Sequence, residues 1–107
     1  MPEKKIREIV NFIKNFLEHH HVRTSKIILF GSYAKREPSQ ESDMDIAIIS
    51  KDFEKKDIFE RARMIKGLQW SLVESFSLPF DIVPLSPTEW RASSSLVINF
   101  IRQGREF

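Results

Sequence analysis

Residues 30–49 read FGSYAKREPSQESDMDIAII. An apolar run ends at Phe30, Gly31-Ser32 follows at once, ten residues intervene, and Asp43-Met44-Asp45 opens a second apolar run that continues to Ile49. The first run, Lys26 to Phe30, is β-rich without polar alternation, as a strand buried on both faces requires, and Met44 to Ile49 reads the same way. Between them, Tyr33 to Ser42 carries Pro38, Ser39 and several charges. That composition predicts a turn or a single helical turn followed by a loop, open to a ligand.

On the N-terminal side, Ile6, Ile9, Val10, Ile13, Phe16 and Leu17 keep the three-four spacing of an amphipathic helix over Glu3–Glu18. On the C-terminal side, Ile58, Ala62, Ile65, Leu68, Leu72, Val73 and Phe76 predict one long helix over Lys55–Phe76, with Gly67 a mild interruption. Pro79 stops it and Phe80–Leu85 makes a third strand. Ser86-Pro87-Thr88-Glu89 then has the form of a capping box with proline at the first helical position, predicting a last helix from Pro87 to about Gln103 closed by Gly104. The order α-β-(turn)-β-α-β-α implies an α/β fold of the α+β type, a small mixed sheet covered by helices.

Strand directions follow from the polar residues. Asp43 and Asp45, two apart, point to one face of their strand while Met44 and Ile46 point to the other. Asp81 interrupts the apolar run Leu78–Leu85, where an unpaired buried carboxylate is costly. If Ser32, Asp43, Asp45 and Asp81 converge, the first strand runs antiparallel to the second, and the third runs parallel to it with the long helix as crossover. Three carboxylates that close need a cation or a proton. Magnesium suits them, taking hard oxygen ligands and completing its shell with water and phosphate. Two such ions about 4 Å apart serve phosphoryl transfer. Gly31 lets backbone approach a phosphate, the Ser32 hydroxyl and nearby N–H groups can donate to it, and Lys35 and Arg36 lie in the same turn. Taken singly, Gly-Ser after a strand is a common turn, Asp-x-Asp a common solvated strand entrance, and Asp81 a candidate local cap. Their conjunction points to a triphosphate site.

Composition bounds the rest. At 107 residues and 41% hydrophobic, the chain predicts one compact domain over 1–107. With no cysteine there is no disulfide framework or thiolate zinc site, and no apolar run suits a bilayer or a secretory signal, so the expected compartment is the cytoplasm, without a membrane partner. A net charge of +2 does not argue for nucleic acid as a direct partner. Residues 1–37 hold eight Lys/Arg against four acids, whereas residues 38–54 hold five acids against Lys51 alone, so negative charge gathers at the motif.

Gly31-Ser32-x10-Asp43-x-Asp45 with a later Asp81 resembles the signature of the DNA polymerase β-like nucleotidyltransferase superfamily. More narrowly, GSYAKREPSQESDMDIAII, FDIVPL and VINFIRQGREF resemble the minimal nucleotidyltransferase (MNT) family over nearly the whole chain. The resemblance implies that Asp43 and Asp45 ligate two magnesium ions, that Asp81 ligates the catalytic one, and that Gly31 and Ser32 hold the triphosphate of ATP. It implies attack by an acceptor hydroxyl on the α-phosphorus, and an antitoxin that adds AMP to a tyrosine of a small helical HEPN partner, an RNase toxin, within a hetero-oligomer. The chain departs from the pattern at Lys35-Arg36, where members often carry Arg-Gly. Two other readings fit the same residues: a non-catalytic partner-binding module of this fold, and the catalytic subunit of a two-component nucleotidyltransferase acting on an aminoglycoside-like small molecule.

Other residues invite weaker readings. His19-His20-His21 reads as a helix end rather than a metal cluster, because adjacent helical residues do not share a face. Trp70 and Trp90 suit packing in a core or partner interface, with base stacking as the alternative. Lys55, Lys56, Arg61, Arg63 and Lys66 read as a solvated basic stripe.

Overall fold

The computed structural model describes residues 1–34, 43–92 and 95–107. Helix α1 spans Glu3–His19 and buries Ile6, Ile9, Val10, Ile13 and Leu17 along one stripe. It ends in the histidines as expected: the rings of His19 and His20 bond the carbonyls of Asn15 and Phe16 at 2.7 and 2.9 Å, and His21 turns the chain at φ 58°. Strands β1 (Lys26–Phe30) and β2 (Met44–Ile49) follow, then helices α2 (Ile58–Met64) and α3 (Leu68–Phe76), strand β3 (Phe80–Leu85), helices α4 (Pro87–Ala92) and α5 (Leu96–Arg102), and a two-residue strand β4 (Arg105–Glu106).

The sheet order is β3-β2-β1-β4, with β1 antiparallel to β2 and to β4, and β2 parallel to β3. The inferred strand directions therefore hold. Alternation along β1 and β2 divides the core in two. Ile27, Leu29, Met44, Ile46 and Ile48 pack with α1 and α3, whereas Ile28, Phe30, Ala47 and Ile49 pack with Ile98 and Ile101 of α5. Each fully buried aliphatic side chain contributes about 1.5–3 kcal/mol, so both strands are stabilised from both sides.

Three features depart from the sequence reading. The crossover is two helices, because Gly67 adopts φ 91° and Ile65–Gly67 leaves helical geometry, although Leu68 and Leu72 stay fully buried. Asp57 starts α2 with a capping box of its own. The last helix is also two, α5 beginning at Ser95, whose hydroxyl accepts the Ile98 N–H at 3.1 Å. The predicted box at α4 is present: Ser86 Oγ accepts from Glu89 N–H and Glu89 Oε1 accepts from Ser86 N–H. Gly104 does more than close a helix. A β-carbon there would sit 2.5 Å from the Leu29 carbonyl oxygen, so its bareness lets β4 reach β1. No described helix is long and apolar enough to cross a membrane.

Candidate active site

The antiparallel register sets Phe30 opposite Asp45, and the parallel register sets Asp45 opposite Asp81. Paired residues share a face, so Phe30, Asp45 and Asp81 form a row across one end of the sheet, neighbouring strands standing about 4.8 Å apart. Asp43, two residues before Asp45, belongs to the same face. The Met44 N–H bond to the Pro79 carbonyl, 2.8 Å, carries the ladder up to this point and holds both strand entrances level. The parallel pair β2 and β3, with aligned starts, thus gathers the acids at one mouth.

Gly31 closes the row from the β1 side. It takes φ 75°, in the left-handed region, and begins a single 3₁₀ turn over Gly31–Tyr33. A β-carbon on it would overlap Asp45 Oδ2 and lie 3.3 Å from Asp45 Cγ. The glycine is therefore required twice, by its backbone angle and by the carboxylate against it. Ser32 stands in the same turn, partly exposed. Lys35 and Arg36 lie outside the described residues.

Asp45 is half-buried, while Asp43 and Asp81 are exposed. Burial pushes the Asp45 carboxyl above its ordinary range, and the charges of Asp81 and then Asp43 push it further in the same direction. Among the described residues, no cationic side chain pairs with any of the three. The exposure of Asp81, at the start of the edge strand β3, corrects the expectation of a carboxylate in a buried setting. Among the described residues, no three acidic or imidazole side chains close on one point tightly enough to form a metal cage. A hard cation seated in the row would thus draw on water and phosphate oxygens to complete its shell, the habit of magnesium. The all-oxygen donors and the unmet negative charge at Asp45 suit such an ion.

A family model described as "Nucleotidyltransferase domain" matches residues 4–103. Over 84 residues the chain is 33% identical to a Methanocaldococcus jannaschii protein named "Putative protein adenylyltransferase MJ0141", covering 75% of this chain and 77% of that one. A second protein of that organism, "Putative protein adenylyltransferase MJ0604", is 49% identical over 47 residues, 44% of each chain, so the match spans less than half of that relative. A chain in the crystal structure of a toxin-antitoxin with AMP-PNP superimposes with a TM-score of 0.63 at 25% identity, over 90% of this chain and 69% of that one. One from a variant of the toxin-antitoxin MntA-HpeT gives 0.60 at 26%, over 91% and 69%. A Sulfolobus solfataricus structure described as a "putative nucleotidyltransferase" gives 0.60 at 20% identity, over 98% and 83%, a likeness of fold.

Proposed function

We propose, since this chain belongs to the nucleotidyltransferase domain family, that it transfers AMP from ATP, with magnesium, to a hydroxyl of a protein acceptor, a tyrosine of a small helical HEPN-type toxin. The observation that carries the reading is the row of Asp45 and Asp81 in register with Asp43 on the same face, uncompensated by any described cation and abutted by Gly31. The relatives named protein adenylyltransferases and the toxin-antitoxin structure with AMP-PNP support the class of acceptor and nucleotide.

In this reading Asp43, Asp45 and Asp81 are the residues that would hold divalent ions, and such ions would supply charge neutralisation at the phosphates and stabilisation of the ionised acceptor oxygen. The backbone of the Gly31–Tyr33 turn and the Ser32 hydroxyl donate to phosphate oxygens and fix the triphosphate at the sheet end. Because β3 is the edge strand, the acceptor approaches from the Asp81 side. Its oxygen forms a bond to the α-phosphorus as the bond to pyrophosphate breaks. Pyrophosphate leaves with the electron pair, and the hydroxyl proton passes to the exposed Asp81 carboxylate and on to solvent. Alignment of the two oxygens and neutralised charge supply most of the acceleration in such transfers.

The test incubates the protein with α-labelled ATP, magnesium and a purified small helical HEPN-type gene product. Label on a tyrosine of that product is expected, and none with Asp43→Asn/Asp45→Asn. Neutralisation of the product without label transfer would replace the enzyme with a binding module, and label on an added aminoglycoside-like alcohol alone would replace the protein acceptor.

A further inference from the structure

Strand β1 runs straight into the Gly31–Tyr33 turn, and its last two residues are held from the far end of the chain. A β-carbon on Gly104 would sit 2.5 Å from the Leu29 carbonyl oxygen and 2.9 Å from Phe30 Cβ. Neither neighbour can swing aside, since one is backbone and the other is the first atom of a buried side chain. Gly104 does not take a positive φ, so space alone calls for a glycine there. Phe30 in turn pairs with Asp45 and precedes Gly31, whose own missing β-carbon makes room for the Asp45 carboxylate. Two glycines 73 positions apart in the chain thus stand on either side of one phenylalanine at the edge of the carboxylate row.

The residues after Gly104 back β1 along its length. Arg105 and Glu106 register with Leu29 and Ile28, and the Phe107 N–H and C=O bond Ile27 at 2.7 and 3.3 Å. Side chains pin the segment at both ends of the strand. Near the turn, the Arg105 guanidinium donates to both carboxylate oxygens of Glu3 on α1, one bond measuring 2.7 Å. At the opposite end, Lys26 Nζ meets Glu106 at 2.5 Å. The turn itself is loosely backed on the α1 side. Tyr33 and Ala34 reach the core there, yet they also line a hollow of about 330 Å³ whose other walls include Glu3, Ile6, Leu29 and Arg105. Its position is therefore set chiefly by the exit of β1, which β2 holds on one side and the C-terminal segment on the other. We infer that Gly104 and Arg105 are positioning residues for the phosphate-binding turn, acting through Leu29 and Phe30 on Gly31 and Ser32, an inference that rests on the proposed triphosphate site. Neither residue need touch a phosphate. A binding group misplaced by about 1 Å can cost ~100-fold, so a rigid brace behind the turn bears directly on nucleotide binding.

The test measures the Kd for ATP with magnesium by calorimetric titration, well below the melting temperature of every variant. Gly104→Ala is expected to raise it about tenfold, and in label transfer to raise KM for ATP by the same factor while kcat stays within about twofold. Arg105→Met, which keeps the bare Gly104 but releases Glu3, should raise the Kd about threefold. Lys26→Met breaks the ion pair at the end of β1 remote from the turn and should leave the Kd unchanged. That control separates positioning from stability, because all three variants loosen the same segment and only two of them act at the turn. Gly104→Ala binding ATP as the parent does overturns the inference and leaves the triphosphate site intact. Equal losses of affinity in Gly104→Ala and Lys26→Met overturn it too, reducing the segment to a contribution to stability. Should Gly104→Ala fail to fold, Arg105→Met decides alone: a raised Kd sustains the brace and an unchanged one discards it. No binding of ATP by the unaltered chain discards the triphosphate site and the brace together.

Discussion

The two ends of β2 and β3 carry similar numbers of acids and treat them in opposite ways. At the C-terminal end every acid is met. Asp52 accepts from Arg23 through both backbone N–H, 2.8 Å, and guanidinium, 2.9 Å, and Glu54 accepts from the Thr88 N–H at 2.9 Å. The hydrogen bonds from Arg23 hold the Asp52 carboxyl below its ordinary range, and the Thr88 N–H does the same for Glu54. Burial pushes Glu89 upward, yet hydrogen bonds from Ser86 and Arg61 outweigh it and leave the carboxyl lowered. At the N-terminal end Asp43, Asp45 and Asp81 have no described cation, and Asp45 is raised. The partners, not the residue type, separate an acid tied into the scaffold from one left without a described cation.

The largest expected effect breaks the unmet end. Asp43→Asn/Asp45→Asn should reduce label transfer at least ~100-fold, as loss of electrostatic stabilisation at a reacting phosphate does. The same variant should melt no lower than the unaltered chain without magnesium, and magnesium should raise the melting temperature of the unaltered chain alone. Equal magnesium-dependent shifts in both proteins would place the ion elsewhere.

At the paired end, Arg61→Met should cost about 2 kcal/mol in urea unfolding, below the ~3–5 kcal/mol of a fully enclosed pair, because Glu89 keeps 43% of its side chain in solvent. Transfer measured well below the midpoint should survive. A variant as stable as its parent would mean that the Glu89 network contributes nothing to the α2–α4 contact.

Gly31→Ala should cost about 1–2 kcal/mol for the left-handed backbone. Its methyl group would also push the Asp45 carboxylate out of the row, so transfer should fall about tenfold while a Ser32→Ala change in the same, partly exposed turn leaves stability alone. Wild-type transfer in Gly31→Ala would show that the position of Asp45 is set by its own strand.

The smallest effect sharpens the comparison through pH. Asp45 has a raised folded pKa, so its ionisation opposes folding above that value, and the penalty is relieved as pH falls through it. Glu89 has a lowered one, so its stabilisation is present above the ordinary carboxylate value and lost as pH falls through the folded pKa. The melting advantage of Asp45→Asn over the parent should therefore shrink from pH 7 to about pH 4. The melting deficit of Glu89→Gln should shrink only at more acidic pH. Parallel pH profiles for the two variants would contradict the opposite environments.

Much of this was legible in the primary chain. Period-two alternation placed Asp43 and Asp45 on one face of β2, and the uninterrupted apolar character of β1 and β2 announced burial on both sides. The demand that Ser32 and three acids meet was enough to orient β1, β2 and β3. The capping box at Ser86–Glu89 could be read because both partners lie within four residues. The break at Gly67 could not, since Ile65 and Leu68 keep helical spacing whether or not the axis bends between them. The start of α5 at Ser95 had a local signal, the serines at 93–95, masked by apolar periodicity that continues beyond them.

What the sequence by itself determined was therefore whatever a short-range period or a local hydrogen bond can specify: the strands, their faces, the acid pair and the glycine beside it. The fold decided whatever depends on groups far apart in the chain. The two-residue β4 has no propensity of its own and exists because the Phe107 N–H and C=O meet Ile27 at 2.7 and 3.3 Å across a bare Gly104. Arg61 finds Glu89 across 28 residues, and Asp81 meets Asp45 only because β2 and β3 pair in parallel register. Such contacts follow from the packing of layers on both faces of the sheet, and no window of sequence contains both of their halves.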